Sequence, residues 1–292
     1  MKEIVVVSGK GGTGKTTLTA AFAALSANKA VLADCDVDAA DLHLILDPAI
    51  QLQDDFICGR EAVIQEQNCS GCGKCFEVCR FGAVIAGMNN PKYRIDPISC
   101  EGCGVCVRVC QEKAIDFQER KAGEWFVSET RFGPLVHAKL EAGGENSGKL
   151  VSLVRKEARS LAAQREFSML LVDGPPGIGC PVIASITGAH ALVVVTEPTL
   201  SGKHDLERIL KLAAHFRVPA YVCVNKWDIN QEITSDIEKQ AATWDAIAIG
   251  RMSYDNTAVA AQIAGQSIVE NGEGIISQEV KQIWEKLMRM MH

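Results

Sequence analysis

Glu3-Ile4-Val5-Val6-Val7-Ser8, then Gly9-Lys10-Gly11-Gly12-Thr13-Gly14-Lys15-Thr16-Thr17, then an Ala-rich run to Ala27: these residues decide the fold. The first six read as a short buried strand, and the run from about Thr17 to Ala27 reads as a helix. Between them Gly9 to Thr16 fits G-x-x-x-x-G-K-[ST], and strand, glycine loop and helix in that order are the context this pattern needs. Glycines let the backbone curl so that successive N–H groups face phosphate oxygens, and the helix N-terminus adds a favourable dipole. Lys15 is expected to neutralise the β- and γ-phosphates and the Thr16 hydroxyl to ligate Mg²⁺, with Gly9 through Thr17 forming the nucleotide-binding set.

Two further segments belong with this loop. Ser168 to Val172 (SMLLV) is a second buried strand, ending in Asp173-Gly174-Pro175-Pro176-Gly177. An acid at the carboxyl end of a core strand suits Mg²⁺ held through water. Ala30 to Ala33 leads into Asp34-Cys35-Asp36-Val37-Asp38, three acids alternating off a strand end, of which at least one is a bystander. Beyond Val182 the chain repeats a βα rhythm. Strands are expected near Ala191–Val195, Ala220–Val224 and Ala246–Ile249, and helices over Lys203–Phe216, Glu232–Ala242, Ala258–Gly265 and Ser277–Met291. Such alternation predicts an α/β fold, a mostly parallel, doubly wound sheet with ligands at the carboxyl ends of the strands. Gly143 to Lys149 also fits G-x-x-x-x-G-K, but Leu150 replaces the metal-binding hydroxyl; that stretch and Ser201-Gly202-Lys203 read as loop-to-helix junctions.

The cysteines form a separate pattern. Cys69-x₂-Cys72-x₂-Cys75-x₃-Cys79 is followed by Cys100-x₂-Cys103-x₂-Cys106-x₃-Cys110, so eight of the twelve cysteines fall in two matching runs. This is the bacterial two-cluster ferredoxin spacing, in which the fourth cysteine of each run ligates the other cluster. One [4Fe–4S] cluster is expected on Cys69, Cys72, Cys75 and Cys110, the other on Cys100, Cys103, Cys106 and Cys79. Zinc suits C-x₂-C pairs as well, but four cysteines in each short run exceed what zinc knuckles need. Arg80 and Gln111 stand where the ferredoxin pattern usually has proline. The expected organisation is a first ATPase part (1–58), a small inserted α+β ferredoxin-like domain (59–121) and a second ATPase part (122–292), with Trp125 to Ser128 resuming the main sheet.

Taken together the motifs resemble the deviant Walker A superfamily of MinD, ParA, Mrp and the nitrogenase iron protein, in which a lysine follows the first glycine of the loop. The resemblance implies that Lys10 reaches across an ATP-sandwiched dimer to the partner's phosphates. It also implies that Asp36 positions the attacking water, with Asp34 its neighbour, that Asp173 and the following GPPGIG form Walker B and switch II, and that Asn225 reads the adenine. Members with an inserted ferredoxin domain are known, and the chain is similar to them along its whole length. Cys180 holds a place similar to a cluster ligand of the nitrogenase iron protein, although one cysteine per subunit is half of what a bridging cluster needs.

Composition sets the remaining expectations. The chain has 292 residues and a formal net charge of −6, which argues against gripping nucleic acid phosphates. No apolar run is long enough for a signal peptide or membrane span, so a cytoplasmic location is expected. The last helix carries Val280, Ile283, Trp284 and Leu287 on one face, but its other face mixes acids and bases, so packing on the sheet is expected rather than membrane binding. His137 and Cys35, Cys58 and Cys223 read as structural. The functional expectation is an ATPase that pairs, as homodimer or paralogue heterodimer, on binding ATP and Mg²⁺, and that couples ATP to electron transfer or metallocluster maturation with a redox or metalloprotein partner. Cluster carriage and MinD-like spatial regulation with redox sensing stand as alternatives.

Overall fold

A computed structural model describes residues 1–87, 92–141, 147–270 and 274–291. The chain runs β1 (Lys2–Ser8), α1 (Lys15–Leu25), β2 (Ala30–Asp34), α2 (Leu42–Leu46) and the long strand β3 (Ala49–Ile64). The cysteine-rich segment follows, with α3 (Lys74–Val78), β4 (Val84–Ala86), β5 (Tyr93–Ile95) and α4 (Val105–Val109). A second long strand, β6 (Ile115–Thr130), leads to β7 (Gly133–Leu140), α5 (Ser147–Gln164), β8 (Met169–Pro176) and α6 (Cys180–Ile186). The chain closes with β9 (Ala191–Thr196), α7 (Leu200–Phe216), β10 (Ala220–Asn225), α8 (Gln231–Ala242), β11 (Ile247–Met252), α9 (Asn256–Ile263) and α10 (Ile275–Met291).

Nine strands form one sheet in the order β11-β10-β9-β1-β8-β2-β7-β6-β3. The pairings β11–β10, β10–β9, β9–β1, β1–β8, β8–β2 and β2–β7 are all parallel. The central strands are buried on both faces, which is why they read as unbroken Val, Ile and Leu runs. Helix α10 lays Ile276, Val280, Ile283 and Leu287 on this core, and Trp284 meets Phe22 of α1 with ring centroids 5.0 Å apart. Among the described residues no helix is long and apolar enough to cross a membrane.

The chain divides into two compact units. The larger comprises Met1–Gln53, Trp125–Lys139 and Ser147–His292, and the smaller is built on residues 54–124. The chain passes from one to the other inside β3 and inside β6. Trp125 to Ser128 is therefore the last part of a sixteen-residue strand rather than the beginning of one. The sequence hides this because β3 opens with seven exposed residues and has no apolar run to announce it. The doublet at Gly143 lies partly outside the described residues; Ser147 opens α5. Ser201 to Lys203 lies inside the first turn of α7, capped by the Thr199 side chain, which accepts from Gly202 N at 3.0 Å.

Candidate functional site

The parallel register brings Asp34 of β2 beside Asp173 of β8 at the carboxyl edge of the sheet. Both are fully buried. Lys15, at the start of α1, reaches into this acidic corner: its Nζ lies 3.0 Å from Asp173 Oδ2 and 3.3 Å from Asp36 Oδ2. Asp173 also accepts from Thr16 Oγ1 at 2.7 Å and from Thr19 Oγ1 at 2.9 Å. Thr19 was not singled out from sequence. The signal was present, since it stands one helical turn after Lys15 and shares its face of α1. Asp34 turns its carboxylate toward the backbone, accepting from Asp36 N at 3.1 Å and Leu42 N at 3.2 Å, and so fixes the loop that carries Asp36. Asp38 is exposed.

One lysine faces three acids in this corner, and the electrostatics follow. Burial alone would lower the Lys15 pKa, but Asp173, Asp36 and Asp34 together push it up to about 12. Burial raises the Asp36 carboxyl above its usual range against the pull of Lys15. Asp34 is raised further, by burial and by the neighbouring Asp173. A corner with more acids than bases, at the foot of a phosphate loop, is a place where a divalent cation offsets charge.

Around the corner opens a cleft of about 770 Å³, lined by Gly11 to Thr17, Asp36, Asn225, Lys226 and the wall Met252 to Asp255. Gly12 and Gly14 have φ of 76° and 90°, where a side chain is strained. A Cβ on Gly14 would run into Asn225 Nδ2, which donates to Thr13 O at 2.8 Å. Asn225 thus stands against the loop itself as well as at the cleft. The wall is braced from behind: Glu279 accepts from Ser253 N and Oγ, both at 2.7 Å, and Asp228 accepts from Tyr254 N at 2.8 Å. These acids and the wall were not foreseen, because they lie far from the glycine loop in sequence. Lys10, the second residue of the loop, pairs with Glu197 at 3.2 Å.

Behind the cleft, Glu3 of β1 binds Arg155 and Arg159 of α5. Arg155 is buried and also donates to Ala184 O and Thr187 O at the far end of α6. His137 is buried against Phe126, accepts or donates at Ser128 Oγ (2.9 Å), and lies near His43; burial first, then His43, lowers its pKa to about 4. Cys35 and Cys223 are buried, Cys58 is half-buried and Cys180 is exposed.

In the smaller unit the eight cysteines surround two cavities. One is lined by Cys69, Cys72, Cys75 and Cys110, the other by Cys79, Cys100, Cys103 and Cys106. Each run therefore lends its fourth cysteine to the other's cavity. Gly73 and Gly104, with φ of 79° and 71°, begin the short helices α3 and α4 that carry Cys75 and Cys106. Ala114 N donates to Cys110 Sγ at 3.3 Å. At Cys79 burial would raise the thiol pKa, but backbone N–H groups of residues 81 to 84 outweigh it and lower it. Among the described residues no three His, Cys, Asp or Glu side chains gather as for a single metal ion. Four thiols around each of two cavities, with N–H groups turned to sulfur, suit a cluster with thiolate corners.

A family model, CbiA, the CobQ/CobB/MinD/ParA nucleotide binding domain, matches residues 4–268. Two curated proteins of Methanocaldococcus jannaschii are similar to the chain. Uncharacterized protein MJ0578 is 30% identical over 287 residues, 98% of this chain and 96% of its own. Uncharacterized protein MJ0579 is 28% identical over 235 residues, 79% of this chain and 82% of its own. Among solved structures, the Pyrococcus furiosus cell division ATPase MinD aligns over 99% of both chains at 15% identity with a TM-score of 0.57. The Mg-ADP complex of the septum site-determining protein MinD from Pyrococcus horikoshii aligns over 99% of this chain and 96% of its own, at 16% identity and a TM-score of 0.58. The Cyanothece McdA(D38A)–ATP complex aligns over the same shares at 15% identity and a TM-score of 0.59.

Proposed function

The chain belongs to the CobQ/CobB/MinD/ParA nucleotide-binding family, and from that premise we propose that it is an ATP-driven dimeric switch of the MinD type whose smaller unit carries two [4Fe–4S] clusters. The observation that carries the nucleotide part is the convergence of Lys15, Thr16, Asp36 and Asp173 under one glycine loop. Thr16 and Asp173 would hold Mg²⁺, and Gly11 to Thr17 would bind the phosphates through backbone N–H groups. Lys15 supplies positive charge where charge develops on the transferred phosphoryl group. Asp36, set by Asp34 through its backbone N–H, orients water, and Asn225 serves the base. Exposed Leu44, Leu200, Ile229 and Val259 at this edge of the sheet favour cover by a second copy or by a paralogue.

The cluster part rests on the crossed cysteine sets of the two cavities. Clusters held there by these eight thiolates would supply one-electron transfer. The MinD neighbours are named as a cell division ATPase and a septum site-determining protein, and this favours a switch whose state answers to redox conditions. A second reading, electron transfer or cluster delivery to a metalloprotein, is favoured by the exposure of Cys72 and Cys103.

An anaerobic redox titration followed by EPR, with and without Mg²⁺ and a non-hydrolysable ATP analogue, tests the coupling. A shift of about 59 mV, worth roughly 1.4 kcal/mol for one electron, is expected if nucleotide and clusters communicate. An unchanged potential with intact clusters removes the redox-coupled readings together. Iron analysis tests the cluster sets: Cys110→Ser should remove the signal of the cluster on Cys69, Cys72 and Cys75 and spare the other, and Cys79→Ser should do the reverse. Equal loss of both from either variant would overturn the crossed assignment.

A further inference from the structure

Glu197 stands at the end of β9, and each of its carboxylate oxygens takes a different lysine. Oε2 lies 3.2 Å from Lys10 Nζ, and Oε1 lies 2.6 Å from Lys226 Nζ. The three groups are unequal in freedom. The Glu197 side chain is 13% exposed, whereas that of Lys10 is 40% exposed. The Glu197 backbone is fixed by a tight turn: its carbonyl accepts from Thr199 N at 2.8 Å, and a Cβ on Gly202 would collide with that same oxygen. Lys226 is also held, with φ of 56° and its N–H on Asn225 Oδ1 at 2.9 Å. Lys10 is the most exposed member. Its carbonyl is bound by Ser8 Oγ at 2.8 Å, and among the described residues its ammonium meets the half-open ion pair with Glu197.

The pair is also chemically well supplied. Burial alone would raise the Glu197 carboxyl, but hydrogen bonds and charge from Lys226 and Lys10 outweigh it, so the group lies below the usual range and stays ionised. Asp205, although it packs against Gly9, faces His204 and Arg208 instead.

We propose that Glu197 is a positioning residue that parks Lys10 on its own subunit, and that Lys10 must exchange this carboxylate for phosphate oxygens before two copies close on nucleotide. Lys226 keeps the carboxylate in place and remains its counter-ion after Lys10 leaves, so the exchange strands no charge. The inference rests on the reading that Lys10 serves the partner's nucleotide. An ion pair with one exposed member holds weakly. The parking therefore delays closure modestly rather than forbidding it, and its removal favours the dimer by a factor of about two to five.

A double-mutant cycle on dimerisation tests this. Sedimentation velocity with Mg²⁺ and a non-hydrolysable ATP analogue is measured for the wild-type chain, Glu197→Gln, Lys10→Ala and the double variant, with binding of a fluorescent ATP analogue as the check on folding. Glu197→Gln is expected to lower the protein concentration for half-dimerisation about two- to fivefold with nucleotide affinity unchanged, and to have no effect in the Lys10→Ala background. Equal or weaker dimerisation by Glu197→Gln, or the same gain with Lys10 absent, overturns the parking role. If Lys10→Ala dimerises as the wild type does, the cross-subunit reading of Lys10 fails by itself, whatever Glu197→Gln does. Glu197→Asp, which keeps the charge but draws it back by one methylene, is expected between wild type and Glu197→Gln and reads the same cycle should the glutamine variant not fold.

Discussion

The nucleotide corner and the cysteine unit are built on opposite terms. The corner sits on strand ends inside a core of Val, Ile, Leu and Phe, and its charged groups are held by register and by each other. Beside its parts of β3 and β6, the cysteine unit has three-residue strands, five-residue helices and a core of Phe56, Ala62, Ala83, Val84, Ala114, Ile115 and Ala122, with four of the seven being alanine. A unit of that size with so few large buried side chains is the kind that a metal centre commonly helps to hold together. The lesson is that the first site is a property of the fold, while the proposed clusters would make the second fold a property of its site.

Removing iron is the strongest attack on that contrast. With chelator and reductant under anaerobic conditions, amide protection measured by hydrogen exchange is expected to collapse across residues 54–124 while β1 and β8 keep theirs. Equal retention in both units would erase the distinction. At the corner, Lys15→Ala removes the one ammonium among three acids and is expected to lower kcat/KM for ATP hydrolysis by about 10²- to 10³-fold in a phosphate-release assay, with iron content unchanged. Loss of iron in that variant would show that the two regions are not separately built.

Acid should strike the larger unit in a defined window. His137 is neutral in the fold with a pKa near 4, against about 6.5 in the unfolded chain. Its stabilising contribution is full above pH 6.5 and is lost as pH falls toward 4, because the unfolded chain takes the proton first. The loss amounts to about 3 kcal/mol by pH 4, and His137→Asn should flatten denaturant midpoints between those values. An unchanged slope would place the acid sensitivity elsewhere. The mildest change is Thr19→Val. It deletes one hydrogen bond to the Asp173 carboxylate and should cost about tenfold in ATPase turnover, near the 1.5 kcal/mol of a bond to a charged group.

The sequence made the corner legible because its members lie at a strand end or at the helix start that follows the glycine loop. Lys15, Thr16, Asp36 and Asp173 converge because parallel neighbours end level. The crossed cysteine sets were legible because spacing alone carries them. The long strands β3 and β6 were not, since exposed polar residues fill β3 and its pairing comes from the sheet rather than from a local pattern. Nor were Thr19, Glu197, Glu279 and Asp228, whose parts are set by contacts across tens to hundreds of residues. Lys10 was marked by its place in the loop, but nothing local names the carboxylate it pairs with.

Arg155 gives α6 one fixed end. Its guanidinium joins Glu3 on the central strand to the carbonyls of Ala184 and Thr187, whereas the opposite end of α6 follows directly from the loop after Asp173. A rod clamped at one end translates poorly and tilts readily. With seven residues at 1.5 Å each, α6 is a lever arm of about 10 Å, so a tilt of about 10° moves its free tip by roughly 2 Å. Cys180 stands at that tip, beside Gly148 of α5, so a spin label there would report any such tilt as a change in distance.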